Sequence, residues 1–171
     1  MSFTELAKSR YSVRAFSPKP VEREKLEKIV EAGRIAPTAK NQQPQKVWIA
    51  QSPEALEKLN AVSPCIYGAT TVLVVGYDKE RMWVHPDHEE IHSGYVDASI
   101  VLTHMMLEAA DQGLGTCWVA RFDPYEAEKA LGLPENIRLV ALMPVGYPAE
   151  GAAPSPRHES FRPDAEWLGE L

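Results

Sequence analysis

Three polar side chains near the start of the chain have the types and spacing of an anion-binding site. Arg10, Ser12 and Arg14 alternate with Tyr11 and Val13. In an extended segment this spacing places all three side chains on one face. Two guanidinium groups with a hydroxyl between them match the oxygens of a phosphate. The same pattern is typical of an exposed basic turn, so the segment alone leaves both interpretations open.

A second group of polar side chains lies between two prolines. The segment 36–44 carries the amide or hydroxyl groups of Thr38, Asn41, Gln42 and Gln43. Asparagine and glutamine present a donor and an acceptor side by side, which suits the edge of a planar heterocycle. A solvated connection between two elements is the alternative interpretation.

Three histidines raise the question of a metal site. His85, His88 and His92 lie in the charged segment 78–93, and spacings of three and four residues could gather imidazoles on one helical face. Pro86 interrupts any such helix, and no cysteine is near. We therefore expect a surface loop or lid at a pocket mouth here, and no metal site.

Hydrophobic periodicity and capping residues predict the elements that must position these groups. Gly33 falls within the buried stripe of the second helix, which suggests a close backbone approach there. The predicted helices cover 2–10, 21–36, 52–60, 94–112 and 123–132, and the predicted strands cover 46–50, 71–77 and 138–145, with a further strand within 113–120.

The helix predicted over 94–112 is apolar nearly all round, which is typical of a central core helix or a subunit interface. Asp97, Thr103 and His104 interrupt its apolar surface, and we interpret His104 as a hydrogen-bonded core histidine. The Gly-x-Gly sequence at 113–115 is not a dinucleotide-binding fingerprint, because the third glycine is missing and the glycines follow a helix.

Composition limits the possible partners. The chain has 171 residues and a net charge of -6, which predicts one domain and argues against nucleic acid or an anionic membrane as a partner. Cys65 and Cys117 are too few for a disulfide framework, and the first residues form a capping box instead of a leader. No apolar run is long enough to span a bilayer. We therefore expect a cytoplasmic protein.

The last 24 residues differ in character from the rest. They are rich in proline, and they contain few apolar residues before Phe161, Trp167 and Leu168 near the end. Such a tail either dangles or docks on a distant surface, and a second subunit is a natural place to bury Trp167.

Four features occur in a fixed order along the chain. They are the Arg-Ser-Arg face at a helix end, the amide-rich loop after the next helix, the Gly-x-Gly-x-x-Trp entry to a late strand, and Arg157-His158 in the tail. In this order and spacing they resemble the nitroreductase family of flavoenzymes over essentially the whole chain.

The resemblance implies an α+β fold in which helices pack around a central, mostly antiparallel sheet. It implies that residues 1–171 form one domain, whose C-terminal arm (148–171) is exchanged in an intertwined homodimer. It also implies FMN sites at the subunit interface.

The resemblance further assigns site residues. Arg10, Ser12 and Arg157 would hold the FMN phosphate with Tyr11 beside them, and Arg14 would lie at the pyrimidine edge of the flavin. Pro37, Thr38 and Ala39 would approach the ring from the partner subunit, with Asn41 and Gln43 nearby. The backbone of Val119, Ala120 and Arg121 would lie near N5, and Trp118 would pack behind the flavin.

The implied activity is FMN-dependent NAD(P)H oxidation by a ping-pong cycle, with a nitroaromatic, quinone or flavin as acceptor. The reactive centre would be flavin N5, so no catalytic side chain is expected. Flavin fragmentation, reductive dehalogenation and non-catalytic flavin binding are the alternatives. The chain is short, so 79–94 would replace the usual substrate cover, and Arg121 would favour an anionic substrate or a nucleotide phosphate.

Overall fold

The computed structural model describes all residues, Met1–Leu171. Five α-helices and six β-strands make up the chain, and their bounds agree with the sequence-based expectations to within about two residues for the helices and the long strands. In order they are α1 (Phe3–Ser9), α2 (Arg23–Arg34), β1 (Gln45–Ala50), α3 (Pro53–Val62), β2 (Thr71–Asp78), β3 (Val84–His85), β4 (His88–His92), α4 (Gly94–Asp111), β5 (Gly115–Thr116), α5 (Pro124–Leu131) and β6 (Ile137–Gly146), with short 3-10 turns at Ala39–Asn41 and Asp164–Glu166.

The central sheet has four strands in the order β1-β2-β6-β5, and every neighbouring pair is antiparallel. Residue pairs such as Val74 with Leu142 set the register between β2 and β6, and a bulge follows Val75. The expected α+β fold with a mostly antiparallel sheet is thereby confirmed.

Strand β2 lies in the middle of the molecule, and all eight of its residues are buried. Leu73 and Val75 pack in one apolar cluster with α2 and α4, whereas Val72 and Val74 pack in a second cluster with α3 and α5. Helices therefore cover both faces of the sheet. This burial on both faces explains why β2 shows no alternation of apolar and polar residues.

Helices α2 and α4 lie close together at Gly33. A Cβ atom at this position would lie 2.8 Å from Met105 Cγ, so the glycine predicted in the buried stripe does mark a close approach. Helix α4 buries eight residues and forms part of the core, as expected. Neither α4 nor any other helix has the length and apolar character needed to cross a membrane.

The structure corrects two expectations. Residues 84–92 form a two-stranded hairpin (β3 and β4) where an irregular loop was predicted. The strand predicted within 113–120 pairs regularly only at Gly115 and Thr116. No residue of α1 is buried, and Phe3 is 71% exposed.

The tail first runs beside the segment that follows α1. Phe16 and Pro148 form an antiparallel bridge, and the Ala149 amide donates to the carbonyl of Ala15 over 2.9 Å. Further on the tail leaves the core, and Trp167 remains 64% exposed. Exchange of this arm between subunits stays a prediction.

Candidate functional site

The basic segment leaves α1 as an extended chain beside β5. Arg10 caps the helix, its amide donating to the Leu6 carbonyl, and Ser12 then forms a parallel bridge with Thr116. Val13 is 1% exposed and donates its amide to the Thr116 carbonyl over 2.9 Å. Because side chains alternate along an extended segment, burial of Val13 leaves Ser12 and Arg14 on the opposite face.

Gly115 makes this arrangement possible. An added Cβ would lie 2.9 Å from Val13 Cβ, closer still to Val13 Cγ2, and 3.3 Å from Pro148 Cγ. Only a residue without a side chain allows the basic segment to pack this tightly on β5. The Gly-x-Gly sequence and the Arg-Ser-Arg segment therefore pack directly against each other.

The basic segment and the tail together enclose a cavity of about 340 Å³. Its six lining residues combine guanidinium, hydroxyl and imidazole groups: Tyr11, Ser12, Arg14, Ser155, Arg157 and His158. Arg14 Nη1 donates to the Ser12 carbonyl over 3.3 Å, and the Arg157 amide donates to Ser155 Oγ over 3.3 Å. These groups supply many hydrogen-bond donors and no carboxylate, which is the chemistry of an anion site.

The two guanidinium groups of this cavity are unpaired. Six ion pairs occur in the structure, and neither Arg14 nor Arg157 takes part in any of them. Both side chains are exposed, so their guanidinium groups are free to contact an anion from solution.

Arg10 lies elsewhere. Its side chain lines a cleft of about 480 Å³ between α1 and the tail, together with Phe3 and Phe161, and not the cavity that contains Arg14. Arg10 is the C-cap of α1 and its backbone is already extended, and its cleft shares His158 with the cavity that contains Arg14. The grouping of Arg10 with Ser12 and Arg157 around one phosphate stays a prediction.

His158 and Tyr11 hold the tail against α1. His158 Nε2 lies 3.1 Å from the Lys8 carbonyl, its ring meets Tyr11 edge-on at 6.3 Å, and the Tyr11 hydroxyl donates to the Ala152 carbonyl over 3.3 Å. Sequence reasoning did not assign His158 or Ser155 to the site. Their positions next to Arg157 in a proline-rich tail were the available signal.

The segment 119–122 leaves the sheet edge at Val119 and reaches the surface at Ala120 and Arg121. Val119 exchanges two hydrogen bonds with Leu142, of 2.9 and 3.0 Å, and is buried. Ala120 and Arg121 are exposed, and the buried hydroxyl of Ser63 donates to the Arg121 carbonyl over 2.9 Å. This hydrogen bond fixes the direction of the exposed peptide groups.

The amide-rich loop (residues 37–43) has an unusual backbone. Lys40, Asn41 and Gln43 adopt φ angles of 50°, 55° and 50°, in the left-handed region. The Gln43 amide donates to Thr38 Oγ1 over 3.1 Å. No residue of the loop lines the arginine cavity of the same chain.

Comparison with known proteins decides the family. A family model for the nitroreductase family matches residues 7–65 and 58–147, which together span most of the chain. The chain belongs to the nitroreductase family. A nitroreductase family protein from Clostridium difficile 630 superimposes with a TM-score of 0.92 and 37% identity, over 99% of this chain and 98% of that one.

Other relatives carry more specific descriptions. An NADH dehydrogenase of Thermus thermophilus is 30% identical over 183 residues, covering 88% of this chain and 89% of the relative. An FMN reductase acting with NAD(P)H from Bacillus subtilis is 29% identical, covering 85% of this chain and 66% of the relative. A Desulfovibrio desulfuricans protein assigned as a nitroreductase and solved in complex with FMN superimposes with a TM-score of 0.82 and 26% identity, over 98% of this chain and 95% of that one.

Both cysteines of this nitroreductase are free thiols. Burial raises the pKa of the Cys117 thiol, while the Arg14 guanidinium and a hydrogen bond with Ser12 act in the opposite direction. The Cys117 side chain is therefore buried close to Ser12 and Arg14 of the basic segment.

The histidines of this nitroreductase have separate settings. The His85 and His88 rings lie 5.1 Å apart in the hairpin, whereas the His92 ring packs on Tyr77 at 6.1 Å. No group of three histidine, cysteine, aspartate or glutamate side chains is arranged to hold a metal ion. His104 is hydrogen-bonded as predicted, since its Nδ1 lies 2.9 Å from the Ile100 carbonyl oxygen. It is only half-buried, however, and is not a core residue within this chain.

Proposed function

We propose that this nitroreductase is an FMN-dependent NAD(P)H oxidoreductase that reduces nitroaromatic, quinone or flavin-type acceptors by a ping-pong cycle. The observation that carries the proposal is the cavity with two unpaired guanidinium groups, Arg14 and Arg157, in a chain of this family. The relatives described as FMN reductase and as an FMN complex support the cofactor.

The donor set fits the phosphate of FMN. Two positive charges oppose a phosphate dianion, and the hydroxyls of Ser12 and Ser155 add neutral donors from the same cavity. Arg157 and Ser12 would hold the phosphate, with Tyr11 beside them, and Arg10 would contribute from the adjacent cleft. When bound, FMN supplies a flavin ring that accepts and returns hydride.

Three parts of the chain would orient the flavin. Arg14 would place a fixed positive charge at its pyrimidine edge, which stabilises negative charge there and favours the reduced form. The backbone of Val119, Ala120 and Arg121 would lie near N5, where the N–H groups of Ala120 and Arg121 would be the available donors, because both backbone groups of Val119 bond to Leu142. The loop 37–43, including Pro37, Thr38, Ala39, Asn41 and Gln43, would meet the ring from a partner subunit.

A homodimer would complete this site. Helix α4 exposes Tyr95 and Val96, by 48% and 58%, beside a surface groove of about 470 Å³ that Ile100 and His104 also line. An exposed apolar surface of this kind is typical of a protein interface. We propose that a second copy covers it, and that the arm 148–171 of a single domain (1–171) crosses to that copy and buries Trp167.

Arg121 bears on the substrate. It is exposed and has no carboxylate partner within ion-pair distance. A free guanidinium beside the proposed ring position would attract an anionic acceptor or the phosphate of NADPH. The Arg121→Ala variant should therefore raise the KM for those substrates, and unchanged KM values would refute the role.

The first test is cofactor binding and turnover. The purified protein, reconstituted with FMN, should be yellow and should oxidise NAD(P)H with menadione or nitrofurazone as acceptor. Protein that stays colourless would overturn the proposal. A yellow protein without NAD(P)H oxidation would limit it to flavin binding.

Substitutions of single arginines then distinguish residues that bind the FMN phosphate from the residue that sets the flavin reduction potential. Arg157→Ala removes a charge-assisted hydrogen bond of about 1.5–3 kcal/mol, so the Kd for FMN should rise about 10- to 100-fold. Arg10→Ala should act in the same direction, whereas Arg14→Ala should lower the flavin reduction potential even at saturating FMN. Arg34→Ala, at a surface ion pair with Glu31, is the control that should change neither quantity.

A further inference from the structure

Asp97 is a buried carboxylic acid in the first turns of an otherwise apolar helix. The residue is 1% exposed. Its Oδ1 accepts a hydrogen bond of 2.9 Å from the Ala39 amide, and its Oδ2 is buried without a hydrogen-bond partner. A buried carboxyl group is unfavourable unless its hydrogen bonds compensate, so a purely structural position would be filled better by an apolar residue.

The loop that Asp97 contacts is strained. Lys40 and Gln43 adopt left-handed φ angles of 50° without being glycine. Such residues persist only where the surrounding structure holds them, and they cluster at binding sites. The strain therefore requires a hydrogen bond or packing contact from outside the loop.

Asp97 provides the outside hydrogen bond. The other hydrogen bonds of residues 37–43, such as Thr38 Oγ1 with the Gln43 amide, connect the loop to itself. The bond from Ala39 to Asp97 joins it to α4, across 58 positions of sequence. It is the only hydrogen bond that joins residues 37–43 to another element.

We propose that Asp97 is the positioning residue that fixes the loop 37–43 in its binding conformation before the cofactor and the partner subunit arrive. The proposal rests on the proposed function, which places this loop against the flavin. A loop that is already ordered loses less entropy on binding, so Asp97 should strengthen FMN binding without touching FMN.

The first experiment uses the cofactor-free, full-length protein. Amide hydrogen exchange of residues 36–44 should accelerate at least tenfold in Asp97→Ala. Asp97→Asn keeps an acceptor oxygen for the Ala39 amide and should retain most of the protection. Ser52→Ala is the matched control, because it removes a side-chain acceptor from the Ala55 amide at the start of α3 and should leave the loop unchanged.

A second variant protects the test against misfolding. Asp97→Leu has the same number and branching of side-chain heavy atoms and no acceptor, so it leaves no cavity and should still accelerate exchange of the loop. Exchange rates in the loop that match wild type in both Asp97→Ala and Asp97→Leu would overturn the proposal.

The second experiment measures FMN binding to the folded variants. The Kd for FMN should rise at least fivefold in Asp97→Leu and return towards wild type in Asp97→Asn. A Kd that is the same in all three would overturn the link between the loop and the cofactor. If wild type itself binds no FMN the proposed function fails, whereas the exchange comparison still decides whether Asp97 fixes the loop.

Discussion

The contact between Gly115 and Val13 gives a sharp test of how the fold positions the basic segment. A methyl group at Gly115 would lie 2.9 Å from Val13 Cβ, well inside the 3.5–4.0 Å at which carbon atoms make favourable contact. Val13 is β-branched and buried, so it cannot rotate away without a new clash. Gly115→Ala must therefore move the segment that carries Ser12 and Arg14.

The size of the effect follows from this clash. Insertion of a carbon into a packed core costs about 1–3 kcal/mol. Displacement of Arg14 or Ser12 that breaks one charge-assisted hydrogen bond, worth about 1.5 kcal/mol, should raise the Kd for FMN about tenfold. Val13→Ala alone removes two buried carbons and should cost about 2 kcal/mol.

The double variant decides the mechanism. Val13→Ala removes Cγ2, the atom that the new methyl would meet most closely, and leaves only Cβ and Pro148 Cγ near it. Gly115→Ala with Val13→Ala should therefore be at least 1 kcal/mol more stable than the sum of the single effects. Equilibrium urea unfolding of the cofactor-free protein measures these free energies, and titration with FMN measures the Kd. Additive single effects, or a Gly115→Ala variant as stable as wild type, would refute the reasoning.

Gly33→Ala is the matched control. Its added Cβ would lie 2.8 Å from Met105 Cγ, but methionine is flexible and can adjust. The gain in helix propensity of about 1 kcal/mol offsets part of the cost. This variant should change stability by less than 1 kcal/mol and leave the Kd for FMN unchanged.

Three further outcomes are expected elsewhere in the molecule. In the folded protein Arg138 lies 3.2 Å from the Glu128 carboxylate in a mostly buried site. Glu128→Ala leaves this guanidinium without a partner and should lower the free energy of unfolding in urea by about 3 kcal/mol. A decrease below 1 kcal/mol would show that the ion pair does not stabilise the fold. Thiol titration with a disulfide reagent should modify the half-buried Cys65 well before the buried Cys117, whose pKa burial raises, and equal rates in native protein would contradict this order. Burial also raises the pKa of Tyr77, so above about pH 10 the folded state keeps a proton that the unfolded state loses, and the free energy of unfolding should fall as the pH rises. Tyr77→Phe should make this fall with pH less steep. An equally steep fall in the variant would assign the pH dependence to other groups.

Local signals made several elements predictable. The Ser2 hydroxyl accepts from the Glu5 amide and the Glu5 carboxylate accepts from the Ser2 amide, the reciprocal pair that the sequence indicated. The Asp123 carboxylate accepts from the Tyr125 and Glu126 amides at the start of α5, without the reciprocal bond of a capping box, and Gly132 ends the helix with a φ of 66°. These interactions join residues a few positions apart, so the sequence contains both partners in one window.

Pairing between distant residues was not predictable in the same way. The hairpin 84–92 consists of charged and histidine residues without a strong strand pattern, and it forms by pairing beside the buried end of β2. In 113–120 the apolar residues suggested a longer strand. Only Gly115 and Thr116 pair regularly with β6, because β5 lies at the sheet edge and also contacts the basic segment.

By itself the sequence determined the helices, the long strands, and the residue types of the proposed anion site. The tertiary structure decided which of those residues meet: it groups Arg14 with Arg157, places Arg10 in a neighbouring cleft, and brings Asp97 to Ala39. Helix caps depend on neighbours in sequence, whereas these contacts depend on how two cores pack on opposite faces of one sheet. Only the folded chain contains that information.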